Sequence, residues 1–276
     1  MITTAQGVAK EQRMPMPQVS NRPDDSSAEK AQASFLDHYF YPFLERYGYK
    51  WSRETRRSQQ IKGIDGTLTL AGTTRTVDEK GAFHYINAEL DTFSFEILSK
   101  QKEKDIGWFV DDSHVTDYYF VTWPYAKCEF RIQGKRGRVH QCANQMNPRL
   151  LTEKSFTVIE GMLISKISIF KMLEHYGWNR QKLIDEANLL RAERRYGYSR
   201  SGCDDFGFFY SASNNNQTKN YHGKRYAEEP INLLIKKSKL AELARGIYLI
   251  CPEGVGVIKD NRIIPTVNHQ ENVNVR

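Results

Sequence analysis

Apolar positions recur with a period near 3.6 at both ends of this chain and near 2 between them, and that change of period orders the predicted elements. Residues 1–25 are rich in Gln, Pro, Ser, Asp and Asn with few large apolar groups. Such a stretch cannot bury enough surface to offset its ordering entropy, so it is predicted as a disordered tail. Ser26 and Glu29 make a Ser-x-x-Glu capping box for a helix running to about Tyr47. Leu36, Tyr39, Phe40, Phe43 and Leu44 give that helix one apolar face. Pro42 should kink or split it, and Gly48 ends it. Trp51 to Gln60 is polar and basic, a loop or an edge strand. Ile61 to Lys80 reads as a β-hairpin around a Gly-containing turn.

Period 2 continues from there. Thr92–Ile97 alternates, with Phe93, Phe95 and Ile97 on one face and Ser94 and Glu96 on the other. Lys100 to Lys104 is a charged turn, Gly107 to Val110 a short strand and Asp111 to Asp117 a polar connection. Tyr118 to Trp123 reads as a buried strand stopped by Pro124, Cys128 to Ile132 as a further strand, and Gly134 to His140 as a basic, flexible loop. Beyond Asn147-Pro148 the helical period returns. Val158 to His175 is predicted as one helix, stopped by Gly177, and Asn179 caps a second from Arg180 to about Arg195. Residues 196–229 read as a long loop, Ile231 to Ile235 as a short apolar run and Lys239 to Arg245 as helical turns. Ile247 to Ile258 forms a hairpin around Pro252-Glu253-Gly254. The fold class is therefore α/β (α+β). The organisation is a tail over 1–25, a core over 26–150, and a helical pair, long loop and hairpin over 151–276 packed on that core.

The chemistry concentrates in the Ile61–Lys80 hairpin. Successive strand residues face opposite sides, so Asp78 and Lys80 share a face and Glu79 points away. The partner strand can bring Asp65 beside them. Two carboxylates can hold Mg²⁺ (or Mn²⁺), with the Glu79 backbone carbonyl completing the shell, since magnesium takes hard oxygens and keeps several waters. Such a cation activates water and clamps phosphoryl oxygens, and a lysine beside it stabilises developing charge. By spacing alone Asp-x-Lys is a weak signal, because a charged strand end is commonly a solvated edge. The helix before it and the strands after it give it weight.

Composition adds a direction. The formal net charge is +7 and the sequence pI about 9.1, which favours polyanionic partners. Lys135, Arg136 and Arg138 form a basic loop that can contact phosphates or simply be solvated. Cys128, Cys142, Cys203 and Cys251 are scattered without a CxxC pair, which fits a reducing, cytoplasmic compartment. No apolar run approaches the roughly 20 residues that span a bilayer, so no membrane role is expected. Asp111, Asp112 and Asp117 read as turn residues and caps, with a second acidic site as the alternative. Trp108, Tyr118, Tyr119 and Trp123 read as core, or as stacking platforms for bases.

The pattern Gly63-Ile64-Asp65 with Val77-Asp78-Glu79-Lys80 resembles the signature of the PD-(D/E)XK nuclease superfamily. The likeness covers roughly residues 27–130 and extends to stretches of uncharacterised bacterial and mobile-element proteins. It implies a restriction-endonuclease-like mixed sheet flanked by helices. It also implies a metal-dependent endonuclease acting on DNA, less readily on RNA, with Asp65, Asp78 and Lys80 as the catalytic set. Members often add an acid from the first helix, for which Glu45 and Asp37 are the candidates. Residue 64 is Ile where the motif has Pro, and Glu79 is charged where an apolar residue is common, so a buried Glu79 needs a partner such as an arginine. The resemblance leaves a homodimer open. The rival expectation is a non-catalytic nucleic-acid-binding or inhibitor protein on the same fold. In it Ile167–His175 and Asn179–Arg194 would act as a helix-turn-helix.

Overall fold

The computed structural model describes residues 18–19, 22–99, 106–127, 132–133, 139–140, 148–195, 197–199, 206–212, 225–226 and 229–260. Most of the expected tail, the Lys100–Lys104 turn, most of the Cys128–Ile132 strand, the loop of Lys135, Arg136 and Arg138, and the polar C-terminus lie outside the described residues.

The helices are α1 (Arg22–Tyr39), α2 (Tyr41–Glu45), α3 (Arg57–Gln60), α4 (Lys166–His175), α5 (Arg180–Ala192) and α6 (Lys237–Leu243). The main strands are β1 (Lys50–Arg53), β2 (Gly66–Leu70), β3 (Thr73–Gly81), β4 (Thr92–Leu98), β5 (Tyr118–Ala126), β6 (Phe156–Ser165), β7 (Gly197–Ser199), β8 (Phe208–Ala212), β9 (Ile231–Lys236), β10 (Gly246–Cys251) and β11 (Gly254–Asp260). Seven strands form one mixed sheet in the order β11-β10-β6-β5-β3-β2-β1, with β3 and β5 parallel and every other pair antiparallel. Four form an antiparallel sheet in the order β7-β8-β9-β4. The architecture is α+β, as the pattern predicted.

Each face of the large sheet buries its own core. Val77, Phe120, Leu163 and Ile250 face Phe35, Leu36 and Phe40 of α1 and the turn beyond it. Tyr119, Val121, Trp123, Met162 and Ile164 face the opposite way, into the small sheet and α4–α6. The alternation along β5 thus assigns successive side chains to separate layers. Strands from both sides of residue 150 pair within both sheets: β5 with β6, and β4 with β9.

Several elements differ from the sequence expectation. α1 starts at Arg22, with Pro23 in its first turn, so Ser26 and Glu29 lie inside the helix and cap nothing. The helix does divide before Pro42, as expected, into α1 and α2. Ile61–Asp65 is turn rather than strand, and the hairpin closes through Ala71 (φ 47°) and Gly72 (φ 79°). Two positive φ angles make the turn that matches strand twist. Gly107–Val110 forms turns beside a single bridge, Leu98 with Ile106. Val158–His175 is not one helix but β6 followed by α4. Met162, Leu163 and Ile164 are consecutively buried on both faces of β6, so its second half shows no alternation and imitates a buried helix. β5 runs through Pro124 to Ala126. The Pro124 carbonyl accepts from Asn87 N–H (3.2 Å), and a strand residue's N and O point the same way. The missing N–H of Pro124 therefore faces away from β6, beyond the end of β3 at Gly81, where no ladder bond is lost. The expected loop over 196–229 includes β7 and β8, and β8 is an inner strand of the small sheet.

Candidate active site

The centre forms where β2 parts from β3. The antiparallel ladder ends at Gly66 opposite Val77. One residue earlier, Asp65 N–H still donates to the Val77 carbonyl (2.9 Å), and its carboxylate accepts the Glu79 N–H (2.8 Å). The Asp65 side chain thus continues the edge after the strand has left, and this places it beside Asp78. Asp78 Oδ1 accepts from Lys80 Nζ (2.6 Å), so the expected pair shares a face. Lys80 Nζ also lies 5.2 Å from the centre of the Trp108 ring, a cation–π contact. The three expected residues are therefore brought together. Asp78 lies beneath the surface at 1% exposure, while Asp65 and Lys80 are half-buried and form its outlet.

Burial dominates the electrostatics. It pushes the Asp78 carboxyl well above the ordinary carboxylate range; Lys80 opposes that shift and Asp65 adds to it. Burial pulls the Lys80 ammonium down, but Asp78 and Asp65 outweigh it and hold its pKa above the usual lysine value. Asp78 Oδ2 has no hydrogen-bond partner among the described residues. A β-carbon on Gly63 (φ 74°) would stand 3.2 Å from that oxygen and 2.7 Å from His114 Nδ1. Glycine at this turn therefore lets the 61–65 segment close over both groups. Lys166, at the start of α4, donates to the His114 carbonyl (2.6 Å). Burial lowers its pKa, with Asp78 and Asp111 opposing.

Glu79 occupies the other face, as expected, and is buried. Arg53 answers it, with Nη1 2.7 Å from Oε2 and Nη2 3.1 Å from Oε1. The Tyr41 hydroxyl donates to the same carboxylate. Arg53 also reaches Asp37 (2.6 Å) and lies over the stacked rings of Tyr41 and Trp51, whose centres are 3.7 Å apart. Asp37 is therefore spent on Arg53 and is not the helix acid of the centre. Glu45 is not that acid either: it is exposed at the end of α2, which packs beside β1.

The acid that does couple to the centre is Glu29 of α1. Burial raises its carboxyl, Lys80 opposes and Asp65 adds, so Glu29 lies within electrostatic reach of both. The residue as a whole is exposed, so solvent screens part of this coupling. Reading Glu29 as a capping residue hid it, and Pro23, a first-turn residue, was the available signal for an earlier helix start. α1 is fixed here by Gln32, whose Oε1 accepts from the buried Thr122 hydroxyl (2.6 Å), itself 3.3 Å from the Lys80 carbonyl. His114 and Lys166 were also missed, since connection and helix readings carried no mark of the site, and Trp108, read as core or as a stacking platform for bases, instead carries Lys80.

The remaining candidates resolve as structural. Asp111 Oδ1 accepts from Ser113 N–H (2.8 Å), Asp112 pairs with Arg180, and Asp117 accepts from Thr76 N–H (2.9 Å). Asp111 thus has the expected turn role, whereas Asp112 makes an ion pair with α5 and Asp117 ties the connection to β3. α4 and α5 bury Ile169, Leu173, Leu183, Ala187 and Leu190 in the core beside the small sheet.

Asp65 and Asp78 are hard oxygen donors, one with a buried unpartnered oxygen, and together with the Glu79 carbonyl they suit magnesium or manganese. Among the described residues no group of three or more His, Cys, Asp or Glu is gathered as a metal cage, and the side chains that would hold the cation here are the two carboxylates of Asp65 and Asp78. Among the described residues no helix is long and apolar enough to cross a membrane. No family model, curated protein or solved structure matches this chain.

Proposed function

We propose that this protein is a Mg²⁺- or Mn²⁺-dependent nuclease that hydrolyses phosphodiester bonds of DNA, on a restriction-endonuclease-like core. The observation that carries the reading is the convergence of Asp65, Asp78 and Lys80 where β2 parts from β3, with a buried carboxylate oxygen that no donor among the described residues meets. A bound cation would supply an activated water and charge for the phosphoryl oxygens. Asp65 and Asp78 would hold it. Lys80, fixed between Asp78 and Trp108, places one positive charge where a scissile phosphate would meet the centre. Glu29 of α1 couples electrostatically to Lys80. The net charge of +7 supports backbone engagement of a polyanion, with affinity that falls steeply with salt.

One observation favours a second reading, a non-catalytic nucleic-acid-binding protein on the same scaffold. Asp78 is 1% exposed, which restricts its access to substrate. A single experiment separates the two. Supercoiled, linear and single-stranded DNA, and RNA, are incubated with the protein in magnesium, manganese or EDTA. The nuclease reading expects DNA cleavage with either cation and none in EDTA. Retention of nucleic acid with no cleavage under any condition would establish the binder.

A further inference from the structure

A second polar atom on the Asp78 face is also buried without a hydrogen-bond partner among the described residues: the Tyr119 hydroxyl. Tyr119 and Asp78 are register partners across the parallel pair β3–β5, so their side chains leave the sheet side by side on one face. Tyr119 is 0% exposed. Its ring packs edge-on against Trp108 (5.3 Å) and Phe95 (6.1 Å), and Trp108 is the ring that carries Lys80. Burial first, and then the negative field of Asp78, hold its phenol above the ordinary tyrosine range, so it stays a proton donor. A hydroxyl left unsatisfied in such a place costs on the order of 1–3 kcal/mol. Phenylalanine would fill the same space without that cost. The hydroxyl therefore requires an acceptor, and the register places a carboxylate beside it.

Resting on the reading of Asp65, Asp78 and Lys80 as a cation centre, we infer that Tyr119 is a positioning residue: its hydroxyl donates, through one enclosed water, to the Asp78 carboxylate and fixes the orientation in which Oδ2 meets the cation. The two Asp78 oxygens then have separate duties. Oδ1 is held by Lys80, and Oδ2 is set by Tyr119 while keeping a lone pair for the metal. Lys166 does not take this role: its ammonium donates to the His114 carbonyl and makes no hydrogen bond to Asp78 Oδ2. Tyr119 is too deeply covered to touch a polynucleotide, so its effect passes through Asp78 and the cation alone.

The test uses the full chain, the variant Tyr119→Phe, and Tyr125→Phe as a control on the same strand past the end of β3. Manganese affinity is measured by calorimetry without substrate. Partners that orient a ligating carboxylate are worth roughly 10–100-fold in metal affinity. The Kd for Mn²⁺ is expected to rise at least about tenfold in Y119F and to stay unchanged in Y125F. Cleavage at limiting Mn²⁺ falls in step and recovers at high Mn²⁺, while KM for the polynucleotide does not move. In EDTA, the melting shifts of Tyr119→Phe and Asp78→Asn should be non-additive in the double variant, as expected for coupled groups. Unchanged Mn²⁺ affinity together with additive melting shifts overturns the role of Tyr119 and leaves the nuclease reading standing. A wild-type protein that neither binds Mn²⁺ nor cleaves overturns both.

Discussion

Arg53 is the residue on which the back of the centre depends. It neutralises Glu79 immediately behind the Asp78–Lys80 pair and ties Asp37 of α1 to the same point. Its own pKa is pulled down by burial and raised by Glu79 and Asp37, with the rise prevailing. Arg53→Met leaves a buried carboxylate unpaired and is expected to cost about 3–5 kcal/mol in urea unfolding. The pH dependence of that loss has a definite sign. Burial already raises the Glu79 carboxyl above 4.5, and removing Arg53 raises it further. The folded state then holds a proton that the unfolded state releases. Stability of the variant should therefore recover as pH falls through the raised value towards 4.5, and be lowest at neutral and alkaline pH. Equal destabilisation at pH 5 and pH 8 would contradict this account of Glu79. Gly63 is the second decisive residue. Gly63→Ala forces a β-carbon to 2.7 Å from His114 Nδ1 in a left-handed conformation. It should lower stability by more than about 1 kcal/mol, read as a melting shift, and reduce cleavage by moving Asp78.

Elements were legible where one periodicity had one cause. The α1–α2 break before Pro42, the Thr92–Ile97 alternation, the Asn179 cap and the C-terminal hairpin all follow local rules, and the structure keeps them. The Asn179 side chain accepts from Lys182 N–H (2.9 Å), so Asn179→Ala should cost about 1 kcal/mol, checked by thermal melting. β6 escaped because tertiary burial on both faces erased its alternation, and β-branched Val158, Ile159 and Ile164 were outweighed by the helical run after them. At the centre, Asp65, Asp78 and Lys80 were legible because strand parity puts Asp78 and Lys80 together. Glu29, His114, Lys166 and Tyr119 were not, since each comes from a distant element whose approach only the folded sheet defines.

On the scale of the whole molecule, the two halves of the chain depend on each other. β6 completes the sheet beside β5, and β9 pairs with β4, so residues 26–150 expressed alone lose a partner strand in both sheets. Such a fragment is expected to lack cooperative unfolding by circular dichroism, and a fragment with native-like melting would contradict this topology. The centre is likewise built from both halves, because Lys166 and the strand that backs Tyr119 come from the second. The central claim is that Asp78 and Lys80 carry cation-dependent phosphodiester hydrolysis. It is tested most directly by the cleavage rate of Asp78→Ala and Lys80→Ala against wild type in Mg²⁺, with DNA binding followed in parallel. The expected result is loss of cleavage by at least about 10²–10³-fold in each variant, the scale of a lost electrostatic catalytic group, with binding largely retained. Cleavage at the wild-type rate in both variants would contradict the account.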